Sequence, residues 1–84
     1  MRLKKVQKAL ETKKINYEYT EENGCGSIDF MFRGLRFHIW EYEDRVWGAE
    51  TNVFEAGRSQ DIEGAYEDVI SDEILSWPDM LPGM

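Results

Sequence analysis

Along residues 3–14, Leu3, Val6 and Leu10 recur at the spacing of one helical face, with Ala9 beside them and lysines on the other faces. This predicts a helix over 3–14, short enough to need packing against the rest of the chain. From residue 15 the period changes to two. Ile15, Tyr17 and Tyr19 share one parity and Asn16, Glu18 and Thr20 the other, which predicts a half-buried strand over 15–20. Asn23-Gly24-Cys25-Gly26 predicts a turn, because Asn and Gly accept positive φ.

Two further alternating segments follow. Residues 27–33 place Ile28, Phe30 and Phe32 on one face, and residues 35–43 place Leu35, Phe37 and Ile39 on one face. A type II′ loop at Gly34-Leu35 would join them as a hairpin, with Arg33 against Arg36, Phe32 against Phe37 and Phe30 against Ile39. A fourth strand is predicted over 46–54 from Val46, Trp47, Thr51, Val53 and Phe54, interrupted at Gly48. Ser59 or Asp61 then caps a second helix. Ile62, Tyr66, Val69, Ile70 and Ile74 form its apolar stripe, and Trp77-Pro78 ends it. Gly64 inside that helix costs about 1 kcal/mol relative to Ala.

The order is α-β-β-β-(β)-α, an α+β fold with an antiparallel three- to four-stranded sheet and a helix at each end of the chain. The residues that satisfy these periodicities give the expected core: Val6, Leu10, Tyr17, Ile28, Phe30, Phe32, Phe37, Ile39, Tyr66, Val69 and Ile70.

Composition narrows the class. Eighty-four residues make a single small domain over 1–84, whose three Trp, four Tyr, four Phe and four Met supply a dense core. Cys25 is alone, so no intramolecular disulfide forms and a disulfide-stapled mini-protein is excluded. The charged N-terminus is unlike a signal peptide, and no stretch approaches the ~20 apolar residues of a membrane span. The expected location is cytoplasmic.

The net charge of −7 is unevenly placed. Residues 1–14 carry six basic side chains against Glu11, a net +5, while residues 15–84 carry four Arg against sixteen acidic side chains, a net −12. An acidic body repels phosphate, which disfavours direct nucleic-acid binding.

The chemistry worth following lies on the second face of the 35–43 strand. Arg36, His38, Trp40 and Tyr42 alternate there, with Asp29, Met31 and Arg33 across the hairpin, and a short turn at Asp44-Arg45 would bring Trp47 beside Tyr42. A solvated sheet face should read polar, and large apolar patches mark contacts. Arg36, His38, Trp40, Tyr42 and Trp47 are therefore the candidate interaction face. It could be covered by one of the chain's own helices or the tail from Trp77 to Leu81, by a second copy of the chain, or by another partner.

No catalytic residue is assigned. Asp29 could orient His38, but Ser27 and Cys25 lie at the far end of the hairpin, away from it. One Cys and one His cannot build a structural zinc site, and Glu41, Glu43 and Asp44 lack the spacing of a calcium loop and read as solvated charges. Gly24-x-Gly26 precedes no helix that could hold a phosphate. No metal or cofactor is expected. The carboxylates at 61, 63, 67, 68, 72, 73 and 79 could mimic a phosphate row, but an ordinary solvated helix face is the better reading.

GLRFHIWEYEDRVWGAETN and AGRSQDIEGAYED resemble segments of short uncharacterised proteins of gram-positive gut bacteria, a resemblance that spans most of the chain and implies no activity. The element order also resembles the double-stranded-RNA-binding domain, whose second helix begins with a basic cluster where this one is acidic. Secretion-chaperone-like domains, which are acidic dimeric protein binders, share a similar order. The expected function is a non-enzymatic protein-interaction module, a small regulator or inhibitor. The alternative is a small-ligand-binding domain with its pocket between sheet and helices.

Overall fold

The computed structural model describes residues 1–78. Helix α1 (Lys4–Thr12) leads into strands β1 (Tyr17–Glu22), β2 (Cys25–Phe32), β3 (Leu35–Asp44), β4 (Val46–Thr51) and β5 (Gln60–Glu63), and helix α2 (Tyr66–Ser76) follows. The strands form one antiparallel sheet in the order β1-β2-β3-β4-β5. The fold is α+β, in the expected order, with one strand more than the sequence pattern suggests.

Turn geometry sets the registers. Asn23 and Gly24 have φ of 53° and 79°, and Arg33 and Gly34 have 56° and 78°. Two successive residues with positive φ are the signature of a type I′ hairpin, whose twist matches that of the strands. The loop after β2 is thus Arg33-Gly34, in place of the expected Gly34-Leu35. Phe32 faces Leu35, Phe30 faces Phe37 and Ile28 faces Ile39. The pairing is displaced by two residues from the expected one, so every side chain keeps its face. Cys25 and Gly26 belong to β2 and lie outside the turn.

The second helix begins later than its periodicity suggests. Ile62 falls four residues before Tyr66 and fits a helical stripe, yet it lies on β5 opposite Ala49. Gly64, at φ +79°, turns the chain between β5 and α2. Neither Ser59 nor Asp61 caps α2; Ala65 occupies that position without a side-chain bond, and Glu67 and Asp68 complement the helix dipole from the first turn.

Both helices cover the same face of the sheet. Val6, Ala9 and Leu10 of α1 and Tyr66, Ile70 and Ile74 of α2 pack on Ile28, Phe30, Phe32, Phe37, Ile39 and Ala49. Two expected core residues fall short: Tyr17 is half-buried, and Val69 is 43% exposed because α2 turns it away from the sheet. Trp77 lies on the core side, its ring centroid 5.0 Å from Phe32 and 5.2 Å from Phe37. It does not cover the opposite face, and residues 79–81 of the expected covering tail lie outside the described residues.

Past the end of β4, a side chain takes over from the backbone. Asn52 Oδ1 accepts the His38 N–H at 2.9 Å, and Asn52 Nδ2 donates to the Arg36 carbonyl at 3.0 Å. The amide extends the ladder along β3 where the main chain has turned away, and so holds the Arg36–His38 stretch straight.

Candidate interaction face

The sheet face away from the helices carries the even-numbered residues of β3. Arg36, His38, Trp40 and Tyr42 stand there, with Ser27, Asp29 and Met31 of β2 paired to Trp40, His38 and Arg36 respectively. Trp40 is 41% exposed and Met31 55%. The Trp40 indole N–H donates to Asp29 Oδ1 at 3.3 Å, and its ring lies 4.2 Å from that of His38. These contacts fix the indole without burying it.

Tyr42 lies over Gly48, its partner on β4. A Cβ at Gly48 would come within 2.7 Å of the Tyr42 hydroxyl and 2.9 Å of the Ile62 carbonyl. Glycine is what lets the phenol lie flat on the sheet. Gly48→Ala should cost about 1–3 kcal/mol through this overpacking, read as a drop in the midpoint of a denaturant melt. An unchanged midpoint would contradict the close approach. Burial first, and then the negative charges of Asp61, Glu63, Asp44 and Glu50, push the Tyr42 phenol above its ordinary pKa.

His38 Nε2 lies 2.9 Å from Ser59 Oγ and 3.7 Å from Glu50 Oε2. Both groups approach the same ring nitrogen. An acyl-transfer triad holds serine and carboxylate on opposite nitrogens, so this arrangement is not one. Among the described residues, no three His, Cys, Asp or Glu side chains are grouped to hold a metal ion. None of the helices there is long and apolar enough to cross a membrane.

Trp47 does not join this face. A single residue, Arg45 with φ 71°, links β3 to β4, so Asp44 pairs with Val46 and Glu43 with Trp47. The expected short turn had Trp47 opposite Tyr42; a shift of one residue sends the indole to the other side of the sheet. There it stacks beneath the Arg2 guanidinium, 4.2 Å from the ring centroid.

Beside that contact is a polar cluster absent from the sequence reading. Glu41, expected as a solvated charge, has a fully buried side chain. Its carboxylate accepts bonds from Arg2 Nε at 3.0 Å, Arg2 Nη2 at 3.2 Å, the Gly26 N–H at 2.9 Å and the Tyr66 hydroxyl at 2.6 Å. Burial alone would raise its pKa, but the bonds from Arg2, Tyr66 and Gly26 outweigh it and hold the carboxyl below its ordinary value. Burial and the Glu41 contact push the Tyr66 hydroxyl up to about 12, so it remains a donor at neutral pH. The signal for Glu41 was its parity, which it shares with the core residues Phe37 and Ile39. Its partner Arg2 lies 39 positions away and had no local signature.

The row of carboxylates expected along one helix is divided between β5 and α2. Asp61 and Glu63 belong to β5, while Glu67 and Asp68 of α2 bond to Lys5 of α1. Position 79 lies outside the described residues. No protein-family model matches the chain, and comparison with curated proteins and with solved structures gave no match.

Proposed function

We propose that this chain is a non-enzymatic protein-interaction module, a small regulator or inhibitor that works through the sheet face bearing Arg36, His38, Trp40 and Tyr42. The observation that supports this reading is the exposure of Trp40, 41% open on a face that neither helix packs against. Trp, Tyr and Arg dominate the energetics of protein interfaces, and here they alternate along one strand. The small-ligand reading has less support. The layer between sheet and helices is filled by Leu3, Val6, Leu10, Ile28, Ile39 and Ile70, each no more than 1% exposed.

Trp40→Ala separates association from folding. A half-exposed side chain contributes little to the core, so the variant should lose no more than about 1 kcal/mol of stability. As an interface anchor, the same side chain should cost about 2 kcal/mol or more in binding. A denaturant melt measures the first. Sedimentation and quantitative co-purification from lysate, wild type against variant, measure the second. A variant that unfolds like a core mutant, or that associates as well as the wild type, counts against the reading.

A further inference from the structure

We infer that the occupant of this sheet face is a cationic polypeptide segment, bearing arginine or lysine, and not a second copy of the chain. The inference rests on the interaction reading above and adds the chemistry of the partner.

Strand register places the charges. On one side of Trp40 and Tyr42, Glu18 of β1 pairs with Asp29 of β2 on the uncovered face. On the other side, Glu50 pairs with Asp61, and Gly48 with Glu63. Arg36 and His38 are the basic side chains at strand positions of this face among the described residues. The two rings therefore lie between two groups of carboxylates. A hollow of about 220 Å³ lined by Glu18, Asp29, Phe30, Met31, Arg36 and Phe37 opens on the first group.

Two copies docked through this face would each bring more carboxylates than basic side chains to the seam as water is withdrawn. Like charges across an interface oppose association and select against the wrong partner. A cationic chain meets the opposite situation. Its charged heads can approach Asp29 or Glu50, and a guanidinium or ammonium can lie on an exposed ring. The chain already shows that geometry on its other face, where Arg2 stacks on Trp47 at 4.2 Å. The carboxylates Glu67 and Asp68 of α2 do not compete for this role, because they lie with Lys5 in the helical layer on the other side of the sheet.

The test uses the full chain and a fluorescein-labelled octa-arginine peptide, with binding read by anisotropy at low salt and again at about 0.3 M salt, where screening is strong. Binding should weaken with salt. Trp40→Ala, which changes no charge, should weaken it by about tenfold or more. The pair Asp61→Asn with Glu63→Gln should do the same. The charge-matched pair Glu43→Gln with Asp72→Asn, off this face, should change it by less than about twofold. Equal losses from both pairs, with Trp40→Ala neutral, would reduce the binding to bulk charge and overturn the inference. Absence of binding at low salt would overturn it too. A concentration-dependent dimer in sedimentation, abolished by Trp40→Ala, would overturn the cationic partner while leaving the interaction face intact. Failure of the interaction reading itself would show differently, as co-purification and self-association both indifferent to Trp40→Ala.

Discussion

Phe30→Ala should lose about 3–5 kcal/mol of folding stability, through lost burial and the cavity left behind. Phe30 is 6% exposed, and its ring centroid lies 5.4 Å from that of Phe37 and 6.1 Å from that of Trp77. Truncation would open a void where the middle of the sheet meets the segment after α2. The surrounding rings are held by strand register on one side and by the end of α2 on the other, so they cannot close in fully. A domain is stable by only about 5–15 kcal/mol, so the variant should melt far earlier in denaturant. A midpoint within experimental scatter of the wild type would place Phe30 outside the core.

The second large effect is expected at Glu41. Glu41→Ala leaves the Gly26 N–H and the Tyr66 hydroxyl without the acceptor they now share, and Arg2 without its counterion. Breaking a buried pair from one side costs about 3–5 kcal/mol. Arg2 keeps 37% of its side chain exposed and can rehydrate, which puts the expected loss near the lower end, about 3 kcal/mol. Glu41→Gln keeps one acceptor oxygen, replaces the other with an amide donor and removes the charge, and should lose less than Glu41→Ala.

The same pair of variants reports on pH. The folded state lowers the Glu41 pKa. Its contribution to stability is therefore present above the unfolded value of about 4.3 and is lost as pH falls through the folded one. Melts between neutral and acid pH should show the wild type losing this increment and Glu41→Gln lacking that part of the slope. Parallel pH profiles for the two chains would contradict the assignment.

The parity of the hairpin strands was legible because burial on one side repeats every second residue, and Ile28, Phe30, Phe37 and Ile39 obey it whatever the turn. The turns themselves were harder. Arg33 and Arg45 adopt positive φ, which asparagine or glycine would have announced and arginine does not. One misjudged residue at Arg45 was enough to put Trp47 on the wrong side of the sheet. β5 was hidden because Ile62 and Tyr66 share a helical spacing, and because a short edge strand of mostly polar residues has little pattern of its own. The rings of Trp40 and Tyr42 were placed on the right face by alternation alone. What surrounds them, the carboxylates of β1 and β5, depended on registers that no single segment encodes.

The connectivity also shapes how the chain reaches this state. Each strand bonds only to its neighbours in sequence, through hairpins of one or two residues except between β4 and β5. Most of the sheet can therefore assemble from local closures with a small entropic cost. The helical layer cannot. Lys5 meets Asp68 across 63 positions, and Arg2 meets Glu41 across 39. Sealing that seam joins distant segments, so it is expected late in folding, after the local hairpins have closed. If those contacts form after the rate-limiting barrier, substitutions at Arg2 or Glu41 should raise the unfolding rate more than they lower the folding rate.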